Sequence, residues 1–430
     1  MMWVFKIRAN NNAAHDTAAI SFYAAVIDAG STGTRLHLFH SIHNGTDVNP
    51  NAFRIESETF LEVKPGLSAF ADAPDEAAAK VRVLINKAKD VIPENLWQST
   101  PVTLKATAGL RLLKNNQAEN ILASVSDEIS KNGFLMFNEA IGIMPGVHEG
   151  VFAWFTLNIL TNRVPGIVFN ADTESLPKMD INSTAAAMDL GGGSTQLTFL
   201  PKNKAVFEGH EDEMEDYSFK TSFFNKEMLL YSHSYLGNGL VAARLGISQL
   251  HSGSEDLNLK TYCFPASMKI YDWEYGSTKW QIEGVADGSF ENCLKMSLKY
   301  VKEVTKVKKM PEMNEKDIYG FSYFYDRGIQ AKIIPASERQ LGGYIKVSDY
   351  KAAAIKACQL STSELGPEHW KPWQCQDLTY IYTLLHYGYG LNNEKQIYLA
   401  KKLRGMEMSW ALGASYNLLK TYFETFVANN

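Results

Sequence analysis

Val26-Ile27-Asp28-Ala29-Gly30-Ser31-Thr32-Gly33-Thr34-Arg35-Leu36 decides how the rest of this chain is read, because it joins an apolar strand, a carboxylate, a glycine-hydroxyl turn and the start of a second strand. The spacing predicts a hairpin, with a strand from Phe22 to Ile27 leading in and the alternating Leu36-His37-Leu38-Phe39 leading out. Gly30 and Gly33 are expected to supply backbone conformations that a side chain would forbid. Such a turn can aim several N–H groups at one anion, and the hydroxyls of Ser31, Thr32 and Thr34 add donors. Asp28 would repel a phosphate beside it unless a cation or water lies between, which points to a divalent metal site at the turn.

A second copy stands at Ala187-Met188-Asp189-Leu190-Gly191-Gly192-Gly193-Ser194-Thr195-Gln196-Leu197-Thr198-Phe199. Asp28 aligns with Asp189, Gly30 with Gly191, and Thr34-Arg35-Leu36 with Thr195-Gln196-Leu197. One glycine turn between strands is ordinarily just a turn; a copy in each half of the chain is a design. The duplicated unit resembles the actin-like superfamily, in which two ribonuclease-H-like lobes clamp a nucleotide's phosphates between paired loops. That resemblance implies an α/β fold with the active site in the cleft between the lobes. The first lobe is expected at 20–143 plus 405–430, completed by the C-terminal helix, and the second at 144–404.

A chain of 430 residues with 45% hydrophobic and 21% charged residues has the composition of a globular enzyme of two or three domains. Its net charge of −5 argues against a nucleic-acid-binding surface. No run approaches the roughly 18 apolar residues that a membrane span requires, so no membrane anchor is expected at either end. Met1 to Phe5 is too short for a signal-peptide core before Lys6 and Arg8, and no signal peptide is expected. The cysteines, Cys263, Cys293, Cys358 and Cys375, form no C-x-x-C pair. They fit disulfides Cys263 to Cys293 and Cys358 to Cys375 better than a metal site, although four cysteines allow three connectivities. Sequons at Asn44 and Asn182 allow a glycosylated secretory-pathway protein.

Along the chain, the apolar spacing between Pro74 and Pro93 predicts a helix, 101–107 a strand, 121–129 a helix ending near Gly133, and 134–143 a strand. A helix starts at Pro145-Gly146 and is placed at the hinge between lobes. Glu208 to Asp216 is read as a solvated acidic loop. Later helices are expected at 238–245, 290–308, 348–360, 377–384 and 407–426.

Five motifs then appear in one order: Asp28-Ala-Gly-Ser-Thr-Gly-Thr34, Lys105-Ala-Thr-Ala-Gly-Leu-Arg111, His148-Glu-Gly-Val-Phe-Ala-Trp154, Asp189-Leu-Gly-Gly-Gly-Ser-Thr-Gln196 and Trp410-Ala-Leu-Gly413. With them the chain is similar, over roughly 22–425, to the apyrase, or ecto-nucleoside triphosphate diphosphohydrolase, family. Lys64-Pro-Gly-Leu-Ser68 and the segment Ser232 to Arg244 resemble its nucleoside diphosphatase branch, found in the endoplasmic reticulum and Golgi.

The resemblance implies that Glu149 is the catalytic base and that Ser194 helps hold the attacking water. Gly30, Ser31, Thr32, Gly33, Thr34, Thr107, Gly191, Gly192, Gly193 and Thr195 would surround phosphate, while Arg111 would either contact phosphate or brace its loop. Asp28 and Asp189, with Gln196 nearby, would hold Mg²⁺ or Ca²⁺ largely through water. Tyr325, in Phe321-Ser322-Tyr323-Phe324-Tyr325, is the expected base-stacking ring, whereas Trp154 and Trp410 are read as core. The implied reaction is metal-assisted removal of the terminal phosphate from nucleoside diphosphates, UDP and GDP above others. It would be carried out by a monomer in the lumen of the endoplasmic reticulum or Golgi, or after secretion. A general apyrase, an exopolyphosphatase or guanosine-pentaphosphate phosphatase, and a slow nucleotide switch are the competing readings.

Overall fold

Two large sheets carry the fold, and each grows from one of the glycine hairpins. The computed structural model describes residues 20–43, 53–114, 116–164, 167–168, 183–223, 226–253, 256–275, 278–335 and 342–426; the sequon residues Asn44 and Asn182 lie outside them. The first sheet contains β1 (Ile20–Ala29), β2 (Thr34–His43), β3 (Phe53–Val63), β4 (Val102–Ala106), β5 (Ile141–Ile143) and β6 (Ile167–Val168), in the order β5-β4-β1-β2-β3-β6. There follow β7 (Ala186–Leu190), β8 (Ser194–Phe199), β9 (Ser218–Phe223), β10 (Lys226–Leu236), β11 (Asn258–Thr261), β12 (Lys269–Tyr275), β13 (Thr278–Gly284), β14 (Ile318–Ser322), β15 (Gly343–Lys346) and β16 (Gln396–Leu399). The second sheet runs β15-β16-β14-β7-β8-β10-β9, and β11-β13-β12 forms a small sheet apart.

Within each large sheet the same inner arrangement recurs. β3-β2-β1-β4-β5 corresponds to β10-β8-β7-β14-β16, antiparallel across the hairpin and its next strand and parallel on the other side. This is the ribonuclease-H-like order expected from the duplicated motif, and in both copies the hairpin carboxylate is the next-to-last residue of the hairpin's first strand.

Hydrophobic periodicity explains the layers. The helices Pro74–Val91 and Gln117–Ser130 bury Val81, Leu84, Ile85, Ile121, Val125 and Ile129 against Ile27, Leu36 and Leu38 of the first sheet. The helix Gly146–Leu160 is apolar all round, and a helix of that kind must be covered on every side. It lies between the sheets, sharing one core with Val26, Phe39, Ile55, Ala187 and Leu230. The helix Ala411–Phe426 crosses it so closely at Gly413 that a Cβ there would stand 2.3 Å from the Phe152 carbonyl oxygen. That helix also packs on β1 and β2.

Two elements differ from the sequence reading. The strand expected at 134–143 is reduced to β5 and a bridge at Leu135, because Glu139 turns the chain with φ of 58°. The β11-β13-β12 sheet was not foreseen; only a few inward side chains, Leu259, Trp280 and Ile282, meet Trp373 under it, so its hydrophobic pattern is sparse. Among the described residues no helix is long and apolar enough to cross a membrane.

Both expected disulfides are present, Cys263–Cys293 and Cys358–Cys375, closing loops of 30 and 17 residues of separation. Each is expected to contribute about 2–4 kcal/mol by restricting the unfolded chain. Denaturant unfolding with and without reductant measures this, and unchanged midpoints would contradict it. Nearby, Asp377 is fully buried and held by two arginines, Arg244 through Nε and Nη2 at 2.7 and 2.6 Å and Arg327 Nε at 2.9 Å.

Candidate active site

The tips of the two glycine hairpins touch. A Cβ on Gly192 would lie 2.3 Å from the Ser31 hydroxyl, and one on Gly66 would lie 2.4 Å from the Gly30 carbonyl oxygen. Neither Gly30 nor Gly33 has a positive φ, so the glycines serve close approach here and not an unusual backbone conformation. Both segments that resemble the diphosphatase branch brace these hairpins. Lys64–Ser68 presses on the first through Gly66, while Ser232 donates to the Val147 carbonyl at 2.9 Å and Asn238 accepts the Thr195 hydroxyl at 2.7 Å.

Register fixes the first carboxylate. Asp28, Arg35 and Glu62 lie side by side on β1, β2 and β3. Arg35 therefore bridges, with Nη1 3.4 Å from Asp28 and Nη2 2.8 Å from Glu62. Asp189, next to last in β7, lies opposite Gln196 on β8 and beside Phe321 on β14. Burial pushes the Asp189 carboxyl up to about 7, against a hydrogen bond from Ser322 and with repulsion from Glu149 and Asp28 adding to the rise.

Glu149 sits in the first turn of the helix Gly146–Leu160. Gly146 and Gly150 flank it, and Cβ atoms there would stand 2.3 Å from Ser234 and 2.4 Å from Thr198, so the helix lies directly on β8 and β10. Arg111 reaches across from the first half: Nε and Nη2 donate to the Met144 carbonyl at 3.0 and 2.8 Å, and Nη2 donates to Glu149 Oε2 at 2.7 Å. Burial raises the Glu149 carboxyl above its ordinary value, opposed by the charge and hydrogen bond of Arg111. Ser194 Oγ accepts from Gln196 Nε2 at 2.7 Å, and the same amide donates to Ser234 at 2.7 Å. Asp28 Oδ1, Asp189 Oδ1 and Gln196 Oε1 are buried oxygens with no hydrogen-bond partner.

These groups converge on one cleft of about 440 Å³. Its walls include Asp28, Gly30, Ser31, Thr32, Thr107, Glu149, Asp189, Gly191, Gly192, Gly193 and Ser194. Gly33, Thr34, Arg111, Thr195 and Gln196 stand behind the walls, where Arg111 and Gln196 hold groups that do line the cleft. Tyr325 does not line it, whereas Tyr323 does. The chain becomes helical at Tyr323, and residues two apart on a helix face nearly opposite ways. Trp154 is wholly buried as core; Trp410, though only 2% exposed, forms part of the cleft wall.

Sequence reasoning missed the far wall, made by Arg35, His37, Glu62, Tyr323, Asp326, Gln330, Lys401 and Glu407. A usable signal existed for Arg35 and Glu62, since strand alternation puts them on the same face as Asp28. Ser322, at φ 57° and ψ −127°, is a backbone outlier at the head of this wall, as functional sites often hold.

Two ribonuclease-H-like halves that close their glycine hairpins on a carboxylate-lined cleft define an actin-like, phosphate-handling protein. The chain belongs to the GDA1/CD39 (nucleoside phosphatase) family, whose profile matches residues 17–427. It is 43% identical over 401 residues to the nucleoside-diphosphatase uda-1 of Caenorhabditis elegans, covering 92% of this chain and 81% of that protein. To the nucleoside diphosphate phosphatase ENTPD5 of Homo sapiens it is 37% identical over 413 residues, covering 94% and 89%. In fold it is similar to a nucleoside triphosphate hydrolase of Neospora caninum, with a TM-score of 0.65 and 14% identity over 94% of this chain and 93% of that one. A Ppx/GppA enzyme of Aquifex aeolicus shares the fold at a TM-score of 0.50 and 12% identity, covering 93% of this chain and 100% of its own.

Proposed function

We propose that this chain hydrolyses the terminal phosphate of nucleoside diphosphates, releasing nucleoside monophosphate and phosphate. The observation that carries the reading is the contact between the two hairpins directly beside a buried carboxylate, Glu149, that Arg111 holds in place. Relatives named as nucleoside diphosphatases support the diphosphate as substrate.

In this reading the terminal phosphate lies between Gly30-Ser31-Thr32 and Gly191-Gly192-Gly193, with Thr107 beside it. Backbone N–H groups and hydroxyls there take its charge. Arg111 occupies one oxygen of Glu149, leaving the other to accept a proton from the attacking water; Ser194, whose oxygen accepts from Gln196, keeps its own hydrogen to orient that water.

Asp28, Asp189 and Gln196 suit a hard divalent cation, Mg²⁺ or Ca²⁺, because each offers a buried oxygen that nothing else satisfies. With only two carboxylates among them, these residues would hold the cation jointly with water and substrate phosphate. Such an ion neutralises charge on the phosphoryl oxygens. Its loading should depend on pH. The folded-state pKa of Asp189 stands above its ordinary 3.8, so the retained proton stabilises the metal-free fold most fully at low pH, and that contribution is lost as pH rises through about 7. The rise in Tm on adding Mg²⁺ or Ca²⁺ should therefore grow across that range, and an equal rise at all pH values would contradict the assignment.

Diphosphates, UDP and GDP above others, are expected to exceed their triphosphates in kcat/KM by on the order of tenfold, about 1.4 kcal/mol. With the terminal phosphate fixed beside Glu149, a triphosphate must place its nucleoside one phosphate farther out, and a rigid pocket suits one distance only. Phosphate release from a panel of nucleoside di- and triphosphates, with and without divalent cation, tests this. Equal or greater efficiency on triphosphates would make the chain a general apyrase, and no release from any nucleotide would sink the proposal.

The two disulfides support the oxidising lumen of the endoplasmic reticulum or Golgi, or secretion, as the compartment, and they count against a cytoplasmic polyphosphatase.

A further inference from the structure

The wall that leads outward from the phosphate loops is one face of the helix Tyr323–Gln330. Ser322, just before the helix, and Asp326 and Gln330 on it all line the cleft, and Asp326 and Gln330, four apart, stack along one face about 6 Å from each other. The near end of this row is fixed, because Ser322 hydrogen-bonds Asp189. A nucleoside diphosphate anchored by its terminal phosphate near Asp189 would extend its sugar and base along this wall, past Asp326 and towards Gln330 at the far end of the helix.

Gln330 presents a fixed amide. Arg327 Nη1 is bonded to its Oε1, and a guanidinium can only donate, so the oxygen must face Arg327 and the NH₂ group is what remains for the cleft. Arg327 cannot easily turn away. Its Nε is 2.9 Å from the buried Asp377, and its guanidinium carbon lies 5.1 Å from the centre of the Tyr323 ring.

We infer that Gln330 selects the base: its NH₂ donates to O4 of uracil or O6 of guanine, and meets the N4 amino group of cytosine or the N6 amino group of adenine donor against donor. This rests on the nucleoside diphosphatase reading above. Arg327 is a positioning residue for that amide, and Asp377 holds Arg327 in turn.

Phosphate release from UDP and CDP, with GDP and ADP as the purine pair, tests the inference in the wild type, Gln330→Glu and Gln330→Leu. The readout is the ratio of kcat/KM for UDP to that for CDP within one preparation, from which the amount of folded enzyme cancels. The wild type should favour UDP by about tenfold, the size expected when one hydrogen bond is exchanged for an unpaired donor. Gln330→Glu keeps an oxygen towards Arg327 but turns an acceptor to the cleft, so the ratio should fall about tenfold or more and move towards CDP; Gln330→Leu should bring it close to one. A ratio that both variants leave unchanged, a wild-type ratio near one, or an equal loss on both substrates in Gln330→Glu would overturn the role of Gln330 while leaving the hydrolase standing. A wild type that releases phosphate from none of the four diphosphates would overturn both readings.

Discussion

Replacing Glu149 by Gln should lower kcat by about 10²–10⁴-fold, the usual contribution of a positioned general base, while nucleotide binding stays close to that of the wild type. The amide has the shape of the carboxylate, and its oxygen can still accept from Arg111 Nη2, which donates to Glu149 at 2.7 Å. What is lost is the ability to take a proton from water. Single-turnover phosphate release and equilibrium nucleotide binding separate these effects, and a variant that keeps more than a tenth of the wild-type rate would refute the assignment. The wild-type profile carries a second mark. Because burial raises the Glu149 carboxyl, the acid limb of kcat should lie above the ordinary carboxylate value of 4.5: activity falls as pH drops through the raised pKa and the base becomes protonated. In the Glu149→Gln variant that limb should vanish from whatever activity remains.

Asp377→Ala should cost about 3–5 kcal/mol of stability, because it leaves two buried guanidinium groups without the carboxylate that balances their charge. Asp377 has no exposed surface, and the Arg244 and Arg327 side chains are 10% and 8% exposed, so water cannot take the place of the carboxylate. Set against the roughly 5–15 kcal/mol that ordinarily separates folded from unfolded chains, that is a large share of the margin. Denaturant titration measures it, and a loss under about 1 kcal/mol would show that the arginines find other partners. Arg244 lies on the helix Leu240–Ser252, Arg327 on Tyr323–Gln330 and Asp377 on Gln374–Tyr382, so one carboxylate ties three helices of the second half together.

What the sequence disclosed and what it withheld follow from the range of the interactions. The hairpins were legible because strand, carboxylate and glycines are adjacent in the chain, and their repetition announced the two ribonuclease-H-like halves. The disulfide pairs were legible for a similar reason, each joining neighbours in sequence. The Asp377 cluster was not: a helix was expected at 377–384, but nothing local to it names Arg244 or Arg327 as partners. The far cleft wall was hidden in the same way, since Arg35 and Glu407 enter it from opposite ends of the chain. Tyr323 and Tyr325 could not be told apart from the stretch 321–325 alone; only the start of the helix at Tyr323 separates the face that lines the cleft from the one that does not. Arg111, which could equally have touched phosphate or braced its loop, is seen on Met144 and Glu149.

The helix Ala411–Phe426 packs on β1 and β2 although roughly 380 residues separate it from the end of β1. A ribosome adding about 5–20 residues per second needs on the order of 20–80 s to reach it from there. During that interval the nascent first half has its hairpin but lacks the helix that buries Ala24 with Leu419, and it offers an uncovered sheet face to whatever surrounds it. Shortened products that stop before residue 411 should therefore be clients of chaperones, not slow enzymes. A segment made late closes one made early, so the first half waits for residues 411–426 before its sheet is covered.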